Sequence, residues 1–133
     1  MNLYQDRFYR IDLHEPTNTL QFVWNENHPE VDYESFVEAC CNFIGYGFEY
    51  QTKNILIDTQ HFNYMPPPEF HEWQKTTHHD RYRKIGVEKV AYVMNTEHVE
   101  YMKNSPMKEE GFTTEYYDST EAALNWVSEP IST

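Results

Sequence analysis

The sequence predicts a single α/β domain: an N-terminal antiparallel hairpin, then strand–helix units that build a mixed sheet packed with helices. Three observations predict it. Two neighbouring segments, Phe8 to Leu13 and Leu20 to Trp24, alternate in hydrophobicity with the period of a half-buried strand. Two later segments, Lys53 to Asp58 and Glu88 to Met94, are short apolar runs without alternation, as in parallel strands covered on both faces. Stretches with apolar residues at helical spacing separate and follow them. The chain has 133 residues, the length of one domain. No repeat, low-complexity tract or linker divides it, so residues 1–133 read as one unit.

Tyr9, Ile11 and Leu13 fall on one face of the first strand, and Leu20, Phe22 and Trp24 on one face of the second. Glu15-Pro16-Thr17-Asn18 supplies turn chemistry between them. A long helix is expected from Tyr33 to Tyr50, with Asp32 as N-cap and Ser35 in the first turn. Val37, Cys40, Cys41, Ile44 and Phe48 recur at spacings of three or four and form its expected apolar face. Gly45 and Gly47 weaken its second half, by up to about 1 kcal/mol each relative to Ala, and either allow close packing or mark an early end. After the Lys53 to Asp58 strand, a loop carries Phe62, Tyr64, Met65 and Pro66 to Pro68. Proline suits the entry to a helix, where no amide hydrogen bond is lost. That helix runs from about Glu69 to Lys84, buries Phe70, Trp73 and Thr77, and ends at Gly86. Glu88 to Met94 forms the next buried strand. A short acidic helix around Glu97 to Lys108 follows, with Pro106 disrupting its end. Phe112 to Tyr117 alternates as an outer strand. Asp118-Ser119-Thr120-Glu121 then matches a capping box with Asp118 as cap. The final helix runs through Ala122, Ala123, Leu124, Trp126 and Val127, and Glu129-Pro130 stops it.

Composition narrows the function classes. Apolar residues make up 39% of the chain and aromatic residues 17%, so large rings fill the core while Tyr hydroxyls still reach water or a partner. The net charge is -12, from 22 acids against 10 bases. Such a surface repels phosphate backbones and anionic headgroups, and nucleic acid is not an expected partner. Arg81, Arg83 and Lys84 cluster beside Asp80 and read as a solvated helix face. No window approaches the ~20 apolar residues of a membrane span. The first residues lack the basic and apolar regions of a signal peptide. Cys40 and Cys41 are adjacent, too close for a relaxed disulfide, which suits a reducing, cytoplasmic compartment.

Catalytic patterns are weak. His61, His71, His78 and His79 hint at a metal, yet His71 and His78 lie ~10 Å apart along a helix axis. Zn–N bonds are ~2 Å, so these side chains read as surface histidines, with no metal or cofactor expected. Cys40 and Cys41 lie mid-helix among apolar neighbours and read as packing residues. The four glycines make no phosphate-binding loop. Glu26, Glu30, Glu97, Glu100, Glu109 and Glu110 flank turns or helix faces and read as solvated. No catalytic residue is assigned. Asp58 differs because it ends a buried strand, and ligands of open α/β sheets sit beyond the carboxyl ends of the strands; alternatively it caps loop amides. The Phe62 to Pro68 loop carries aromatic and Met side chains suited to contact surfaces. The alternative is a loop that folds down over the core.

The segments Asn54–Asp58, Glu69–Lys75, Val87–Met94 and Asp118–Val127, and the order of elements over nearly the whole chain, resemble the SpoIIAA-like branch of the STAS (sulfate transporter and anti-sigma factor antagonist) superfamily. The resemblance implies a single STAS-like domain acting as a small binding module. Relatives serve as phosphorylation-controlled antagonists of anti-sigma factors, or as domains proposed to hold a lipid or nucleotide. The antagonists carry a phosphorylatable serine at the start of the helix after the buried strand. Here no serine lies between Asp58 and Trp73, the helix start is Pro66-Pro67-Pro68-Glu69, and Thr59 sits too early. The expectation is therefore a non-enzymatic regulatory or protein-interaction module without that switch. It would meet a protein partner through Asp58, Thr59, Phe62, Tyr64, Met65, Phe70 and Trp73. The alternative is a small-molecule or lipid carrier with an apolar pocket between the loop and the long helix, near Phe36, Cys40 and Ile44. A third expectation, weaker than these, is an enzyme using Asp58 with His61.

Overall fold

The computed structural model describes residues 1–104 and 111–129. The expected helix end at Pro106, the solvated Glu109 and Glu110, and the stop at Pro130 lie outside the described residues. The sheet begins with β1 (Asn2–Gln5), which is not among the predicted strands. It has four residues, none buried, and so leaves no periodic signal. β1 pairs antiparallel with β2 (Tyr9–His14), and β2 with β3 (Thr19–Trp24), from Tyr9↔Trp24 to His14↔Thr19. The predicted hairpin is therefore present. Its turn is a short 3-10 segment, Glu15–Thr17, closed by Asn18 in the left-handed region at φ 51°. Tyr9, Ile11 and Leu13 are buried, and Arg10, Asp12 and His14 alternate with them on the opposite face.

β4 (Asn54–Asp58), β5 (Lys89–Val93) and β6 (Thr113–Tyr117) join β3 in parallel, giving six strands in sequence order. Each parallel step needs a crossover. The crossovers are α1 (Tyr33–Tyr50), then α2 (Pro68–Trp73) running through a π turn (Gln74–His78) into α3 (His79–Ile85), then α4 (Thr96–Asn104). All three steps move the same way across the sheet, so right-handed connections stack these helices on one face. The other face of β4 and β5 is covered by α5 (Thr120–Ser128), which packs Ala123 and Val127 on Leu56, Ala91 and Val93. Burial from both sides explains why β4 and β5 read as continuous apolar runs. The α/β class and the mixed sheet are as predicted.

α1 starts and ends where predicted, and Asp32 accepts the Ser35 N–H at 2.7 Å. Its buried face is different. Phe36, Ala39, Cys40, Phe43, Ile44 and Gly47 point inward; Val37 and Cys41 are half-buried and Phe48 is 41% exposed. Both stripes contain Cys40 and Ile44, and the period alone does not set the phase of their flanks. Phe36 and Phe43 decide it by reaching Trp24 and Phe22, with ring centroids 6.2 and 4.9 Å apart. Gly47 does not end the helix. A Cβ there would lie 3.2 Å from Ile85 Cδ1, so this glycine lets α1 approach α3 closely. Burial pushes the Cys40 thiol far above its ordinary value, and it is an inert core group.

Two of the four expected surface histidines are in the core. His61 and His71 are exposed, but His78 and His79 are each only 4% exposed. The cause is the π turn. One extra residue per turn slides the inward face from Phe70 and Trp73 onto His78, Tyr82 and Ile85. His78 stacks on Trp73 at 5.2 Å, and its Nε2 lies 3.0 Å from the Tyr82 hydroxyl. His79 meets the Phe112 ring edge at 5.3 Å. Gly86, at φ 93°, ends α3 as predicted. The cap of α5 is Ser119 rather than Asp118. Ser119 is the last extended residue, and its hydroxyl accepts the Ala122 N–H at 3.0 Å. Asp118 instead accepts a hydrogen bond from the Thr96 hydroxyl at 3.2 Å.

Two measurements check this packing. In urea unfolding, Ser119→Ala should cost about 1 kcal/mol and Asp118→Ala less than about 0.5 kcal/mol. Burial also lowers the His78 pKa from 6.5 to about 3. Below pH 6.5 the unfolded chain then takes a proton that the folded chain refuses, so this group's contribution to stability falls as pH drops from 6.5 towards 3. The slope is at most about 1.4 kcal/mol per pH unit. His78→Gln, which keeps an acceptor for Tyr82, should flatten it.

Candidate functional site

β3, β4, β5 and β6 all end at one edge of the sheet, at Trp24, Asp58, Val93 and Tyr117. β2 runs the other way, so its first residue, Tyr9, lies beside Trp24 at the same edge. The side chains singled out from the sequence gather here in two groups. Asp58 and Thr59 knit the edge together. One Asp58 oxygen accepts the Gln60 N–H at 3.0 Å and the other accepts the Thr120 hydroxyl at 3.5 Å. Thr59 donates both its N–H and its hydroxyl to the Val93 carbonyl, at 2.8 and 3.1 Å. The Asp58 carboxylate thus caps a loop amide and ties β4 to α5. His61 is exposed beyond it.

Phe62, Tyr64 and Phe70 form the second group and converge on Phe36, with centroids 5.3, 5.6 and 4.8 Å from its ring. Phe62 also lies 4.6 Å from Trp24. Trp73 is one step further, 5.8 Å from Phe70. The loop therefore folds down over the core. His28, buried in the preceding connection, helps to hold it. Its Nδ1 lies 2.8 Å from the Pro29 carbonyl, so a hydrogen on that nitrogen leaves Nε2 to accept the Asn63 N–H at 3.3 Å. Met65 is the large apolar side chain of this loop that stands out, at 85% exposure.

The space expected near Phe36, Cys40 and Ile44 is filled, since these side chains are 7% exposed or less. Room opens on the other side of Trp24. A cleft of about 340 Å3 separates the β1–β2 turn from α1. Tyr4, Phe8, Tyr9 and Trp24 line it from the sheet side, and Ser35, Glu38, Ala39 and Asn42, one face of the helix, from the other. Asp6 shapes this turn. It accepts the Phe8 and Tyr9 N–H groups at 2.7 and 3.0 Å and the Tyr4 hydroxyl at 2.7 Å. That last bond holds the Tyr4 phenol well above its ordinary pKa. Tyr4 stacks on Tyr9 at 5.1 Å, and the Asn42 amide donates to the Tyr9 hydroxyl at 3.0 Å. None of the cleft was foreseen. Its one sequence signal is Asp6, a turn-forming residue placed just before an alternating run.

Among the described residues no cluster of His, Cys, Asp or Glu could hold a metal ion, and no helix is long and apolar enough to cross a membrane. The division of the loop into root and tip predicts unequal costs in urea unfolding. Phe62→Ala should lose about 2 kcal/mol, while Met65→Ala stays within about 0.5 kcal/mol.

No protein-family model, curated protein or solved structure matches the chain.

Proposed function

We propose that the protein is a non-catalytic interaction module that docks a protein partner at this edge, with Met65 at the point of contact. The exposure of Met65 on a rooted loop carries the reading. Phe62 and Tyr64 anchor the loop in the aromatic core, and Pro66, Pro67 and Pro68 stiffen its exit. The loop is thus ordered by folding, and little conformational entropy is left to lose on binding. A Met side chain adapts its shape to a partner pocket. Glu69 and Glu72, both exposed on α2, favour a basic or neutral partner and speed its approach. In this reading Asp58, Thr59, Phe70 and Trp73 support the surface from below.

The order of elements supports kinship with STAS regulatory domains. The lack of a serine between Asp58 and Trp73 means that any control uses another device than serine phosphorylation. The free thiols Cys40 and Cys41 suit a reducing, cytoplasmic setting. A second reading, carriage of a small ligand, is favoured by the cleft beside Trp24.

A photo-crosslinking residue in place of Met65 should capture a partner that the same residue at Gln51, on the opposite edge, does not. Met65→Glu should weaken that partner's binding by about tenfold or more at unchanged stability. Equal binding by Met65→Glu would sink the docking reading.

A further inference from the structure

We propose that the cleft between the β1–β2 turn and α1 is a binding site for a small organic cation, an ammonium group on a short apolar body. The inference rests on the carrier reading and names its ligand. The cleft volume of about 340 Å3 lies at the small end of ligand sites, which span roughly 300–1,000 Å3. Its lining is rich in rings, Tyr4, Phe8, Tyr9 and Trp24, and the negative face of a π system attracts a cation once water is excluded. Phe8 shows this within the chain, since the Arg7 guanidinium lies 5.2 Å from its centroid. Val31 and Ala39 add an apolar surface for the body of the ligand.

The charge around the cleft is mainly negative, the Asp6 and Glu38 carboxylates of the lining against the Arg7 guanidinium on the Phe8 ring. Asp6 accepts hydrogen bonds from neutral N–H and O–H groups, which orient the carboxylate without cancelling its charge. Glu38 projects from α1 on the opposite wall and is exposed. Asp32 and Glu34 offset the positive end of the α1 dipole, which would otherwise oppose a cation. No Lys or Arg occurs between Arg10 and Lys53, so α1 and the loop before it bring no basic side chain of their own. Arg10 itself is paired with Asp12 at 3.0 Å. An anionic ligand would meet two carboxylates here, and a neutral one would gain nothing from them.

Choline is a suitable probe, with dimethylbutanol, in which carbon replaces the nitrogen, as its neutral twin. Titrated into the full chain and followed by the NMR signals of the Trp24 indole and the Asn42 amide, choline should bind about tenfold more tightly than dimethylbutanol. Glu38→Gln changes an exposed side chain, and Phe8→Leu keeps the apolar volume without the ring. Each should weaken choline about threefold or more and leave dimethylbutanol unchanged. Equal affinity for the two probes would overturn the cation assignment and leave the carrier reading standing. Silence of both signals towards both probes would remove the cleft as a site, and the carrier reading with it.

Discussion

The burial of Trp24 at the end of β3 is the contact on which the functional edge depends. Its ring is 3% exposed and has Tyr9, Phe22, His28, Phe36 and Phe62 around it, with centroids 4.6 to 6.2 Å away. These neighbours come from β2, β3, the connection to α1, α1 itself and the loop after β4. One side chain therefore joins hairpin, helix and loop. Rings of this size bury large areas and prefer tilted or offset contacts, which fixes orientation as well as distance. Phe36 and Phe62 lean on Trp24 from one direction and close the core there. Tyr9 also meets Trp24, Tyr4 stacks on Tyr9, and these two rings line the cleft. The rooted loop and the open cleft are two sides of one aromatic cluster.

Polar groups in the interior are arranged so that most have a definite task. Asp58 and Thr59 hold strand ends together. Lys89, 7% exposed, sends its ammonium to the Trp126 and Glu129 carbonyls at 2.8 and 2.6 Å, closing the C-terminal end of α5. A cation at a helix C-terminus meets the negative end of the dipole, and the Trp126 ring 5.2 Å away adds to the attraction. His78 is an exception: its Nε2 faces Tyr82, but among the described residues its Nδ1 has no hydrogen-bond partner. It sits at the π turn, where helix phase rather than polarity decides which side chain goes inside.

The strands that carry the core were legible because burial writes directly into their pattern. Tyr9, Ile11 and Leu13 alternate because one face of β2 is polar; Ile55 and Leu56 do not because both faces of β4 are covered. β1 was not legible, since none of its four residues is buried and only pairing makes it a strand. Of the candidate site, the position of the loop was legible and its division of labour was not. Phe62, Tyr64 and Met65 are all large and apolar, and nothing local distinguishes the anchors from the tip. The cleft was invisible for a related reason: it lies between residues 4 and 42, which no window of sequence brings together.

The sequence by itself determined the class of fold, the order of nearly all its elements, the limits of α1 and a strongly acidic surface. These follow from periodicity, local capping chemistry and composition, which act over a few residues at a time. Only the tertiary structure decided which stripe of α1 faces inward, that His78 and His79 are buried, that Ser119 rather than Asp118 caps α5, and where space remains. Each of those outcomes turns on a neighbour distant in the chain. Phe43 meets Phe22, His79 meets Phe112, Asp118 meets Thr96, and Asn42 reaches across to Tyr9. Packing is a property of such pairs, and a periodic stripe of apolar residues limits the pairs that can form without choosing among them.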